Sequence, residues 1–134
     1  MFGVLDISVS ALVAQRTRME VYSANAANAN SITDANGNYA PYRRRIPVFA
    51  VGDPTTGNPN GVHVARIDMD RAPLRMVYQP DSKFADANGM VGYPNVDSTL
   101  EQTSMLEAAR AYEANITMAE ATKAMIQSSL RLLA

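Results

Sequence analysis

Apolar residues recur along the last third of the chain at alternating steps of four and three. Met105, Ala109, Tyr112, Ile116, Ala119, Ile126, Leu130 and Leu133 fall on this row, with one charged interruption at Lys123. That is the period at which side chains stack on one face of an α-helix and meet a partner helix along a seam. A flanking row of Ala111, Met118, Met125 and Leu132 widens the stripe, while Glu107, Arg110, Glu113 and Glu120 fall elsewhere. Asp97 or Ser98 supplies an N-cap, and Ser98-Thr99-Leu100-Glu101 fits the capping box, in which Ser and Glu each satisfy a free backbone N–H of the other. The pattern predicts a helix from Asp97 to Leu133, about 55 Å long at roughly 1.5 Å per residue. A compact globule of this chain length has a radius of gyration of about 14 Å, hence a diameter of about 35–40 Å. The helix outruns such a body, so its seam needs partners.

The N-terminal segment, from about Val4 to Asn28, places Leu5, Val9, Leu12, Met19 and Ala26 on the same step pattern, interrupted by Arg16 and Ser23. Alanine and asparagine dominate its last third, Ser23-Ala24-Asn25-Ala26-Ala27-Asn28-Ala29-Asn30-Ser31. Asparagine competes for backbone hydrogen bonds and favours helix ends, so one reading is a helix fraying into a loop. The other is a close contact, in which alanines let backbones approach and Asn amides donate and accept across the gap. Pairing the two terminal helices shields only part of both stripes, which points to several copies rather than one hairpin. The expected packing positions are Leu5, Leu12, Met19, Tyr112, Ile116, Ile126 and Leu130, with Asn25 and Asn28 expected to hydrogen-bond between subunits.

Backbone-breaking residues divide the chain further. All seven prolines lie between Pro41 and Pro94, and six of the seven glycines between Gly37 and Gly92. Between the breaker-free ends the centre alternates: Arg45 to Val51 around Pro47, His63 to Asp70, and Leu74-Met76-Tyr78 read as short strands. The stretch from Gly52 to Gly61 is rich in turn formers and reads as a mobile linker. The expected fold class is α+β: long N- and C-terminal helices packed as a coiled-coil-like pair, with a small irregular β-rich central insertion. The expected division is 1–32 (N-terminal helix and Asn-rich motif), 33–96 (β-rich centre) and 97–134 (C-terminal helix), the two ends forming an assembly core.

Composition narrows the chemistry. Of 134 residues, 47% are hydrophobic, too many for a disordered tail. A net charge of −1 argues against a phosphate-driven nucleic-acid binder. There is no cysteine and a single histidine, His63, which removes disulfide scaffolds, zinc ribbons, thiol nucleophiles and His-based triads. No apolar run approaches the roughly 18 residues of a membrane span, and Met-Phe-Gly-Val-Leu-Asp is no ordinary secretory signal. Asp-Ala-Asn-Gly occurs at 34–37 and 86–89. Its glycine falls at the fourth position of a would-be calcium loop and the bidentate Glu is missing, so both copies read as turns. Asp68 and Asp70 share a strand face beside Arg66 and Arg71, a solvated charge pattern. Arg43-Arg44-Arg45 alternates faces in an extended strand and is expected to meet carboxylates of a neighbouring subunit. No catalytic, cofactor-binding or metal-binding residue is expected, and no enzyme.

Several of these segments also match a family. Ala24-Asn25-Ala26-Ala27-Asn28-Ala29-Asn30-Ser31, closing an N-terminal helix, resembles the Asn-rich signature of flagellar rod and hook proteins, with Ala24 and Ala26 where the family usually has Ser and Leu. Tyr42-Arg43 with Val48-Phe49, Leu74-Arg75-Met76-Val77-Tyr78-Gln79-Pro80, Ala85-Asp86-Ala87-Asn88-Gly89, Pro94-Asn95-Val96-Asp97 and Ala111-Tyr112-Glu113-Ala114-Asn115-Ile116 resemble the proximal rod type. The resemblance runs in order from about Leu5 to Leu132. It implies a structural subunit of the bacterial flagellar basal-body rod, the periplasmic shaft that carries torque from rotor to hook. It further implies export through the flagellar type III apparatus without a cleaved signal peptide. The implied partners are further copies of the chain, the proximal rod proteins FlgB and FlgF and the adaptor FliE, with no nucleic acid and no small-molecule substrate. A coiled-coil adaptor or axial component of another type III secretion machine would share the helices without requiring the Pro-Asn-Val-Asp block or the β centre.

Overall fold

The computed structural model describes residues 2–54 and 57–133. Two helices dominate it: α1, Phe2–Ala27, and α2, Ser98–Leu133, of 26 and 36 residues. Thr55 and Thr56 of the expected linker lie outside the described residues, as does the side chain of Leu133. Between the helices come β1 (Arg45–Asp53), β2 (Asn58–Met69), β3 (Arg75–Tyr78) and β4 (Met90–Tyr93). They form two separate antiparallel pairs, β1 with β2 and β3 with β4. This is the α+β architecture of terminal helices around a small strand region.

The helices run antiparallel. Asn25 near the end of α1 meets Glu101 at the start of α2, Arg18 reaches Glu107 at 4.0 Å, and Val4 lines a shallow recess with Thr122, Met125, Ile126 and Ser129. Helix α1 also packs against β1 and β2, which do not meet α2, so α1 joins the strands to the helix pair.

The start of α2 corrects the capping-box expectation. Asp97 is the cap, its Oδ1 accepting from the Thr99 and Leu100 amides at 2.9 and 3.3 Å. Glu101 turns away from the cap and is fully buried. The expected linker is corrected too. Both strands run into it, with Asp53 still paired to Asn58, leaving only a short tip. Glycines explain why the strand pattern survives there. Gly52 (φ +86°) sits within the register shift between Val51 and Asp53, and Gly61 (φ +99°) brings the hairpin against α1. A Cβ on Gly61 would lie 2.6 Å from Ser10 Oγ, the atom that accepts from the Val62 amide at 3.1 Å.

The repeated Asp-Ala-Asn-Gly segments form the same turn twice. Asp34 Oδ1 accepts from the Asn36 and Asn38 amides, each at 2.9 Å. Asp86 Oδ1 accepts from the Asn88 and Met90 amides at 2.8 and 2.9 Å. Gly37 and Gly89 close them at φ +80° and +75°, the backbone region in which glycine is unstrained. The Asn38 amide first, opposed by desolvation and then helped by the Asn38 side chain and the Asn36 and Gly37 amides, holds the Asp34 carboxyl below its ordinary value.

Candidate functional site

Buried apolar side chains in this chain are small: Ala14, Val21, Ala29, Val91, Val96 and Ala108. The largest fully buried side chain among the described residues is Glu101, followed by Val91 and Asn25. A buried carboxylate survives only if its charge and lone pairs are answered. Here Oε1 accepts from Arg44 Nε at 2.6 Å and Oε2 from Asn25 Nδ2 at 2.8 Å. The second amide hydrogen of Asn25 goes to the Arg45 carbonyl at 2.8 Å. Its Oδ1 accepts from both the Tyr42 hydroxyl and the Arg45 amide at 2.9 Å. Burial lifts the Tyr42 hydroxyl above its ordinary 10, Arg45 opposes and Glu101 adds to the rise, so Tyr42 stays a donor. One node therefore ties the end of α1, the start of α2 and the base of β1.

This geometry corrects the expectation for Asn25. Asn25 is fully buried with two donors and two acceptor sites used inside the chain, so no capacity remains for a bond between subunits. Asn28, half-buried, donates to the Ala24 carbonyl at 2.8 Å and accepts from Ser31 Oγ at 3.1 Å, finishing its own helix. Of the arginine run, Arg44 meets a carboxylate of its own chain, while Arg43 and Arg45 stay exposed. Arg44 pairs with Glu101, Arg43 Nη1 donates to the Ala72 carbonyl at 2.7 Å, and Arg45 lies over the Tyr42 ring.

The α2 face turned inward overlaps the expected row at Ala109, Tyr112, Ile116, Ala119 and Ile126 and departs from it at Met105 and Leu130. Glu101, Ser104, Ala108, Asn115, Ala119 and Thr122 are the less exposed positions, mostly small or polar. Tyr112, Ile116 and Ile126 are half-buried beside them, as are Leu5, Leu12 and Met19 on α1. Met105 and Leu130 stand outside the contact. The large apolar side chains face away: Leu100 is 56% exposed, Met118 63%, Met125 62% and Leu132 88%. On α1, Val4, Val9 and Val13 are more than half exposed. Small residues close the intrachain seam because they let the backbones approach. Leu100, Met118 and Leu132 are left uncovered by this chain.

The total surface makes the same point. The chain exposes 9054 Å², whereas a compact single domain of its size exposes about 6,900 Å². The excess, about 2,200 Å², is more than the roughly 800 Å² that one partner contributes to a standard protein–protein contact.

The remaining chemical candidates are occupied by local structure. His63 donates from Nδ1 to the Gly52 carbonyl at 2.6 Å, Asp68 pairs with Arg66, and Asp70 accepts from the Ala72 amide. Among the described residues no group of three His, Cys, Asp or Glu is placed to hold a metal ion, and no helix is long and apolar enough to cross a membrane. Sequence reasoning missed Glu101, Arg44 and Tyr42 as a unit, because their meeting depends on a partner 76 positions away. The signal was the acidic residue at the fourth position of α2, which has a second use besides capping.

Comparison with known proteins adds the context of the two helices. A family model described as "Flagella basal body rod protein" matches residues 5–34, and one described as "Flagellar basal body rod FlgEFG protein C-terminal" matches residues 87–132. The chain is similar to the flagellar basal-body rod protein FlgC of Yersinia enterocolitica, 41% identical over 98% of this chain and 97% of that one. The FlgC proteins of Salmonella typhimurium and Bacillus subtilis are 39% and 37% identical over the same shares.

Proposed function

Because the chain belongs to the FlgC family of flagellar basal-body rod proteins and is a structural subunit of that rod, we propose that it polymerises through its terminal helices. The observation that carries this reading is the outward stripe of large apolar side chains, with an accessible surface far above that of a compact monomer. Taking about 25 cal/mol per Å², burying roughly 1,000 Å² of apolar area gives a gross ~25 kcal/mol, much of it offset by ordering the helices and losing free motion. The assembly core comprises 1–32 and 97–134, with 33–96 as a central appendage. Matches of separate family models to residues 5–34 and 87–132 support that division.

In this reading the polymer is the shaft that spans the periplasm and carries torque from rotor to hook. Its neighbours are further copies, FlgB, FlgF and FliE, and the chain travels through the flagellar type III export apparatus without loss of a signal peptide. The absence of cysteine suits passage as an unfolded chain into an oxidising compartment, since no disulfide has to form afterwards. Rod proteins are a structural class, and no catalytic role is assigned to the chain.

The test uses Met118, which is 63% exposed and so can be changed without disturbing the isolated fold. Met118→Asp places a charge on the stripe; swimming in soft agar should be lost while the variant is still exported and remains folded by circular dichroism. Normal swimming would remove the stripe from assembly. Asn25→Ala is a poor substitute, because it disturbs the chain's own interior.

A further inference from the structure

A cleft of about 940 Å³ opens between α1 and the β1–β2 hairpin. Val9, Val13 and Ala14 form one wall, and Val62, Val64 and Ile67 the other. Val9, Val13 and Ile67 remain 56%, 61% and 45% exposed, so the cleft is apolar and unfilled by this chain. Its charged groups include Asp6 on the α1 wall and Asp53 near the hairpin tip. Arg66, also on the lining, is paired with Asp68 at 2.8 Å.

We infer that this cleft receives the C-terminal end of α2 from a second copy of the chain. The inference rests on the polymerisation reading above and names the surface that one subunit offers the next. Three observations support the occupant. First, α2 is ten residues longer than α1 (36 against 26), and its last turns carry Leu130 and Leu132 at 56% and 88% exposure. Second, the chain's own α2 cannot fill the cleft, because it packs on α1 without meeting β1 or β2. Third, the charges complement each other. From Ala121 to Leu132 the helix carries Lys123 and Arg131 and no acidic residue, against Asp6 on the α1 wall of the cleft.

Cleft and helix end are different surfaces of one molecule. A contact between them is head-to-tail: each added copy leaves its own cleft or its own helix end open, and the pairing propagates as a helical array. A rod needs a contact of that symmetry; a self-complementary patch would stop at two.

The natural chain has no cysteine, so paired thiols report the contact without background. Cells carry full-length chains with Val13→Cys and Leu130→Cys, and isolated basal bodies are oxidised. Disulfide-linked oligomers of this chain are expected, and none from the control pair Val13→Cys with Gln102→Cys, at the opposite end of α2. Val9→Cys replaces Val13→Cys if that variant folds poorly. Asp6→Lys or Arg131→Asp should each lower the yield roughly threefold to fivefold, and the two together should restore it. Equal yields from test and control pairs, or cross-linking of the cleft thiol only to a different rod protein, would overturn the assignment. If complete basal bodies form with no such cross-link, the cleft assignment fails while helix-mediated polymerisation stands. Normal swimming of the Met118→Asp chain sinks the polymerisation reading itself.

Discussion

Asn25 and Glu101 sit where a core would ordinarily place leucines. Their value is directional: an amide with four answered positions and a carboxylate with two charge-assisted or polar donors define one relative placement of three segments. An apolar pair would tolerate several. Removing one partner of such a buried group strands the other. Glu101→Ala leaves the Arg44 guanidinium and an Asn25 N–H facing an empty space, and should cost about 3–5 kcal/mol in urea unfolding. Glu101→Gln keeps an acceptor for Asn25 and should cost less. Equal stabilities for wild type and Glu101→Ala would show the node to be dispensable. The sequence marked Asn25 as a residue of close contact, but its partners lie at positions 42, 45 and 101 once the chain has folded back, and local spacing carries no trace of that meeting.

At the scale of elements, legibility followed the length of the periodic run. Both helices and their pairing were readable, because 26 and 36 residues sample many turns of the pattern. The inward face of α2 was readable only in part, since a hydrophobic row marks what is apolar and here the two buried positions are Glu101 and Ala108, off that row. β4 escaped because Met90-Val91-Gly92-Tyr93 is four residues long and adjoins a turn. The hairpin arms between Gly52 and Gly61 escaped because turn formers there serve bulges rather than a loop. Gly61 tests that account. Gly61→Ala at φ +99° strains the backbone and drives a methyl against Ser10, so at least about 1 kcal/mol should be lost. Faster hydrogen exchange at the Val62 amide should accompany it. Ser10→Ala, which loses only the hydrogen bond, should cost about 1 kcal/mol without strain. An unchanged Val62 amide in Gly61→Ala would show that the close approach to α1 is not maintained.

For the whole molecule, the strongest tertiary ties gather at one end. The buried node joins residues 25 and 101, and Arg18–Glu107 follows about two turns on, at the edge of ion-pair distance with Glu107 largely exposed. Toward Val4 and Leu132 the contacts are apolar, small and increasingly wet. Amide exchange of the dilute full chain should therefore be slowest beside Asn25 and Glu101 and quicken steadily toward Val4 and beyond Thr122, with the gradient flattening in assembled rods. Uniform protection along both helices in the dilute chain would contradict this.

A pair of staves clasped at one extremity behaves like tongs. In a rod built of such subunits, a tilted neighbour would bear first on the loosely held tips and last on the clasp.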